Sequence, residues 1–205
     1  AILNQLNTAS KKIITIEDPI EYTLPRITQV QINPKIDLTF GRILRASLRQ
    51  DPDILMIGEM RDEETATIGL RAAMTGHLVL STLHTNDAIS SSLRLIDMGA
   101  EGYLVAASLK AVYAQRLVRK VCQSCKKIVK LKKDEETWLT MLLGSLDKSW
   151  KFVKGEGCSR CNKTGCSGRM AIHELLEITS ELADCLKKED SSAFSKAAMK
   201  QKNFK

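Results

Sequence analysis

Two cysteine pairs constrain this chain more than any other feature. Cys122-Gln-Ser-Cys125 and Cys158-Ser-Arg-Cys161 stand 32 residues apart in a sequence of 205. A CxxC turn places two thiolates on one side of a tight loop, and two such turns complete a tetrahedral S₄ site for Zn²⁺. The gap exceeds the usual zinc-ribbon spacing. Redox CxxC chemistry and unrelated buried thiols are the alternatives. No secretory signal opens the chain, so structural disulfides are not expected. Four thiolates leave no open coordination position, and the ion is expected to be structural. Cys166 and Cys185 are left over as small thiols rather than ligands.

Charge separates the cysteine-bearing part from the rest. Residues 1–118 hold 12 basic and 13 acidic side chains, a net of −1, whereas residues 119–205 hold 19 and 11, a net of +8. The whole formal excess of +7 therefore belongs to the second part. It suits a partner surface or an anionic membrane leaflet. No apolar run approaches the ~20 residues that span a bilayer.

The first part alternates short apolar runs with amphipathic stretches, which predicts an α/β domain with a largely parallel sheet. Ile2, Leu3 and Leu6 read as the tail of a helix. Strands are expected over 13–16, 27–32, 54–57 and 78–83, and helices over 39–50, 62–74, 87–98 and 101–118. Thr39 is placed to cap the first of those helices and Asp51-Pro52 to stop it. After Arg119 a lysine-rich, poorly patterned stretch separates the cysteine pairs. Apolar character returns at 170–178, a helix is expected over 180–188, and 191–205 reads as a polar tail. The division is then 1–118, 119–170 and 171–205, the last a helical segment with its tail.

Ligands of open α/β sheets bind at the carboxyl ends of the strands. Three expected strands end there in polar residues: Ile16-Glu17-Asp18-Pro19-Ile20-Glu21, Ile57-Gly58-Glu59-Met60-Arg61-Asp62, and Ser81-Thr82-Leu83-His84. An apolar strand closing on an acid is similar to a Walker B segment, whose carboxylates hold hydrated Mg²⁺ and polarise water. Gly58 stands where a metal-holding Asp is common, which casts Glu59 as the base or water-orienting residue. Glu17 and Asp18 can then supply the acid to Mg²⁺, although any single acid of this kind reads more readily as a helix cap. His77 and His84 lie about 23 Å apart along a continuous strand at ~3.3 Å per residue, so only one can meet a given phosphate. His84, at the carboxyl end, is the better γ-phosphate sensor. His77 and His173 are readable as structural. Arg42, Arg45 and Arg49 form one helix face, either a solvated stripe or charge directed at phosphate or a neighbouring subunit. No G-x-x-x-x-G-K-[ST] occurs.

Together these segments resemble the traffic ATPases of bacterial type II secretion and type IV pilus assembly. The stretches IITIEDPIEYTLPRITQVQINP, LRASLRQDPDILMIGEMRDEETA, AAMTGHLVLSTLHTNDA and LVRKVCQSCK with CSRCNKTGCSGRMAIHELLEI follow family order over about residues 1–180. The resemblance implies a RecA-like P-loop NTPase core, incomplete here, with a small tetracysteine zinc-binding subdomain and carboxy-terminal helices. It implies Glu59 as the Walker B glutamate, Glu17, Asp18 and Glu21 as Asp-box acids, and His77 and His84 as the His-box pair. Cys122, Cys125, Cys158 and Cys161 become zinc ligands, and Arg61 joins Arg42, Arg45 and Arg49 as possible phosphate or inter-subunit arginines. Leu24-Pro25-Arg26-Ile27 is most similar to the MSHA-type pilus extension branch. Retraction-type members usually lack the four cysteines.

The implied protein is a cytoplasmic homo-hexamer at the inner membrane that uses ATP and Mg²⁺ and drives platform and assembly proteins of a pilus or secretion machine. On this reading the chain is a carboxy-terminal fragment cut after its P-loop, inactive alone. A zinc-ribbon module that binds nucleic acid or protein without ATPase activity is the alternative, as is a scaffold that has lost its activity. Aromatic residues are only 4%, too few to interleave stacking platforms with the basic side chains, so nucleic acid is not expected.

Overall fold

The computed structural model describes residues 2–147, 149–201 and 204. These form two compact units, one comprising 1–114 with 174–205 and the other 115–173.

The first unit is built on a four-stranded sheet of β1 (Ile13–Glu17), β2 (Thr28–Gln31), β3 (Ile54–Ile57) and β4 (Leu78–Ser81), in the order β2-β1-β3-β4. Every pairing is parallel. Ile13, Ile14, Thr15 and Ile16 are all buried, as expected for a strand covered on both faces. A short α1 (Ile2–Leu6) precedes β1.

Helices α2 (Phe40–Ser47), α3 (Glu63–Met74) and α4 (Ala88–Asp97) each begin at a side-chain cap. Thr39 accepts from the Arg42 amide, Asp62 from Thr65 and Asp87 from Ser90, which satisfies amides that have no intrahelical partner. A 3₁₀ turn, Leu48–Gln50, ends α2, and Asp51 takes a left-handed conformation before Pro52.

Two stretches differ from the sequence expectation. The helix expected over 101–118 stops early: α5 is Gly102–Ser108, and β5 (Ala111–Val121) follows. Leu109 is already extended. The strand β5 pairs with β8 (Cys166–Glu177), so its partner lies more than 40 residues downstream, beyond the reach of any local periodicity. The polar tail is also helical. After α7 (Ser180–Lys187) the chain forms α8 (Ser191–Lys200), whose Phe194 and Ala198 are completely buried. Leu176, Leu182 and Leu186 join them in the core with Leu104 and Val105 of α5.

The 115–173 unit contains a small antiparallel ladder of β6 (Lys126–Ile128) with β7 (Val153–Gly155) and a solvent-exposed helix, α6 (Lys133–Leu143). Gly155 and Gly165 touch backbone to backbone. A Cβ on Gly155 would lie 2.0 Å from the Gly165 carbonyl oxygen, so no larger residue fits that crossing.

Candidate functional site

The sheet register makes the carboxyl ends of β1, β3 and β4 level. Ile16 pairs with Ile57, and Ile57 with Ser81. The residues just beyond those ends therefore meet. Gly58 donates its amide to the Ile16 carbonyl at 2.7 Å. A Cβ at Gly58 would come within 2.9 Å of that same oxygen. Glycine here lets β3 run flush against β1, which explains why no acid occupies the position.

Glu59 follows, 7% exposed. One carboxylate oxygen forms a close ion pair with Nη2 of Arg61, and the other meets Nε2 of His84 at 2.8 Å. The Arg61 guanidinium, and to a lesser degree His84, hold the Glu59 carboxyl below the usual carboxylate range against the opposing effect of burial. Arg61 is in turn held protonated mainly by Glu59, with a smaller contribution from Asp18. The site is an ionised carboxylate, shielded from solvent, between two cationic or hydrogen-bonding groups. Such a group can accept a proton or orient water once a partner yields.

Glu17 is half-buried and accepts from Thr15 Oγ1 at 2.6 Å and Gln29 Nε2 at 2.9 Å, both on Oε1. Sequence reasoning missed these two supports. Thr15 had a signal, as the one hydroxyl in an apolar run and on the same strand face as Glu17. Gln29 had none. Asp18 and Glu21 are exposed. Glu17 closes β1, Asp18 and Glu21 follow it, and Glu59 follows the neighbouring β3, an arrangement suited to a cation that keeps water and phosphate ligands.

The other expected residues lie apart from Glu59. His77 immediately precedes β4 at the opposite sheet end, where Nδ1 donates to the Ala72 carbonyl at 3.0 Å. Arg42 pairs with Asp37 at 2.9 Å, Arg45 with Glu64, and Arg49 donates to the Arg45 carbonyl at 3.0 Å.

The four cysteines of the two CxxC pairs converge. Their sulfurs all lie within 4.8 Å of one another, and three separations are 4.0, 3.8 and 3.7 Å. A tetrahedron with bonds of ~2.3 Å has edges of about 3.8 Å, so the cluster has the dimensions of an S₄ ion site. Backbone amides of Gly157 and Cys158 donate to Cys125 and Cys161. The Cys158 amide is the main reason that the Cys161 thiol is lowered to about 6, while burial pushes Cys125 up to about 12. Cys166 and Cys185 stand outside the cluster.

A family model described as type II/IV secretion system protein matches residues 1–205. The chain is 48% identical over its whole length to the type IV pilus assembly ATPase PilB of Thermus thermophilus, of which it covers 23%. Over 89% of its length it is 51% identical to the type II secretion system protein HxcR of Pseudomonas aeruginosa, of which it covers 34%. It thus spans about a quarter to a third of these relatives. Among solved structures, the pilus retraction motor PilT with bound ADP superposes with a TM-score of 0.66 at 28% identity, over 98% of this chain and 49% of that one.

Proposed function

The chain belongs to the type II/IV secretion system protein family, and from that premise we propose that it carries part of the hydrolytic site of an ATP-driven motor for pilus assembly or protein secretion. The observation that carries the reading is Glu59, a solvent-shielded carboxylate at the end of β3, bonded to Arg61 and His84. Glu59 orients the attacking water and takes its proton. Arg61 and His84 keep the carboxylate ionised and aligned until phosphate competes for them. His84, which reaches the site from the next strand end, reports the γ-phosphate.

Glu17 and Asp18 would hold Mg²⁺ with Glu21 nearby, and Mg²⁺ when bound supplies positive charge to the phosphate oxygens. Zn²⁺ in the four-cysteine cluster fixes the 115–173 unit and takes no part in the reaction, since four thiolates close its coordination shell. His77, Arg42, Arg45 and Arg49 act structurally or toward a neighbouring subunit.

The whole motor is longer than these 205 residues. A homo-hexamer working against inner-membrane platform and assembly proteins, on the cytoplasmic face, is the assembly this reading requires. Among the described residues no helix is long and apolar enough to cross a membrane. The pilus and secretion relatives stand at 48% and 51% identity, and the difference favours neither branch.

The test is ATP turnover by the full-length protein with Glu59→Gln. Loss of a positioned base predicts a fall in kcat of about a hundredfold or more. Turnover at the wild-type rate would sink the assignment.

A further inference from the structure

His84 lies on a loop held at both ends. Upstream, the Thr82 carbonyl accepts from the Met60 amide at 3.2 Å, and Thr82 Oγ1 donates to the Gly58 carbonyl. These bonds tie the loop to the strand end that bears Glu59. Downstream, the loop runs into α4. Thr85 Oγ1 bonds to Ser91 Oγ, and Ser91 Oγ also reaches the Asp87 carbonyl at 2.7 Å. All these partners are local to the loop or to the adjacent strand.

A further partner comes from far away in sequence. The amide of Ala88, the first residue of α4, donates to Oε2 of Glu174 at 3.0 Å across 86 residues of chain. Ala88 is fully buried, so its amide has no access to water. Asp87 is already committed to the Ser90 amide at 2.7 Å and does not serve Ala88. Glu174 therefore supplies the bond to the Ala88 amide that the Asp87 cap does not. Glu174 itself is half-buried. Glu174 and Leu176 share one face of β8, and Leu176 is completely buried. A half-buried carboxylate gains from a donor, and a helix N-terminus, with amides that lack intrahelical partners and a positive dipole end, is a strong one.

We propose that Glu174 is a positioning residue for His84. By fixing where α4 begins, it fixes the downstream end of the loop that presents the imidazole to Glu59. The upstream bonds set the loop's distance from β3, and Glu174 sets its direction of departure. Without it the start of α4 loses this long-range tether, and the downstream end of the loop holds the Nε2 contact with Glu59 less tightly. The proposal rests on the assignment of Glu59 and His84 to the hydrolytic site.

The experiment reads His84 directly. The chain has three histidines, so imidazole carbon–proton NMR signals resolve individually, and His84→Gln identifies the one of interest. Glu174→Ala is expected to displace and broaden the His84 signal and leave His77 in place. Glu174→Gln, which retains an acceptor oxygen, is expected to restore it. An unmoved His84 signal in folded Glu174→Ala overturns the proposal. Should that variant lose its fold, Glu174→Asp replaces it, since the shorter side chain withdraws the oxygen while keeping the charge. An unmoved His84 signal there is equally fatal. In the full-length protein, Glu174→Ala is expected to lower kcat about tenfold or more with KM for ATP unchanged, as a misplaced group does, and Glu174→Gln to recover most of it. A displaced His84 signal with unchanged kcat would support the positioning role and count against the hydrolytic assignment instead.

Discussion

Buried apolar side chains fill the sheet-bearing unit from Ile13 on β1 to Ala198 on α8. In 115–173 the buried apolar set among the described residues is Cys122 and Cys161 alone. The second unit leaves Trp138, Met141 and Leu142 of α6 largely exposed. A segment of that size without an apolar core does not overcome its chain entropy by packing. What it has instead is four sulfurs within 4.8 Å of one another, close enough to share an ion. The sheet unit needs no such device. The difference teaches that one chain can contain two stability mechanisms, and each fails under a different insult.

The largest effect should follow from removing the ion that the four cysteines are proposed to hold. Structural zinc contributes on the order of 10 kcal/mol to small domains at neutral pH. Strong chelation is therefore expected to abolish amide-exchange protection throughout 115–173 while β1, β3 and β4 keep theirs. Protection that survives in both units would break the comparison.

Next comes Phe194→Ala on α8. Phe194 is completely buried, and truncating such a ring costs about 3–5 kcal/mol. Urea unfolding of the sheet unit, followed at saturating zinc, should register that loss and leave the 115–173 transition unmoved. A change below about 1 kcal/mol would return α8 to the status of a peripheral tail.

The smallest effect concerns pH. Glu59 has a folded pKa lowered from 4.5, chiefly by Arg61. The group contributes stability that is complete above about pH 4.5 and disappears as pH falls through the lower folded value. The stability gap between the wild type and Glu59→Gln, from thermal unfolding at pH 6 and pH 3, should narrow on acidification. Arg61 is 62% exposed, so salt should shrink the effect further. A gap that is constant between the two pH values would show that the ion pair contributes no net stability. The Glu59→Gln turnover assay and the Glu174 series test the chemistry that the sheet unit supports.

Much of the fold was legible because it is locally written. Ile13–Ile16 and Ile54–Ile57 are short buried runs closed by acids, and Thr39, Asp62 and Asp87 mark helix starts by their own chemistry. The CxxC spacing also pointed to the four cysteines that the fold brings together, since each tight turn sets two sulfurs side by side. Two stretches were illegible for one shared reason. Val112 and Ala114 of β5 face the core beside a strand supplied by residues 166–177, and Phe194, Ala197 and Ala198 are a helix face of one ring and two methyls in a lysine-rich context. In both cases the deciding neighbour is distant in sequence.

The same boundary divides the candidate site. Sequence alone picked out the groups proposed for the chemistry: an acid after β3, a histidine after β4 and four cysteines in paired turns. It did not determine that Arg61 closes on Glu59, that Thr15 and Gln29 hold Glu17, or that Glu174 anchors the start of α4. Residue type and spacing set what a side chain can donate or accept. Which donor meets which acceptor depends on strand register and on where a returning segment packs, and only the tertiary structure decides those.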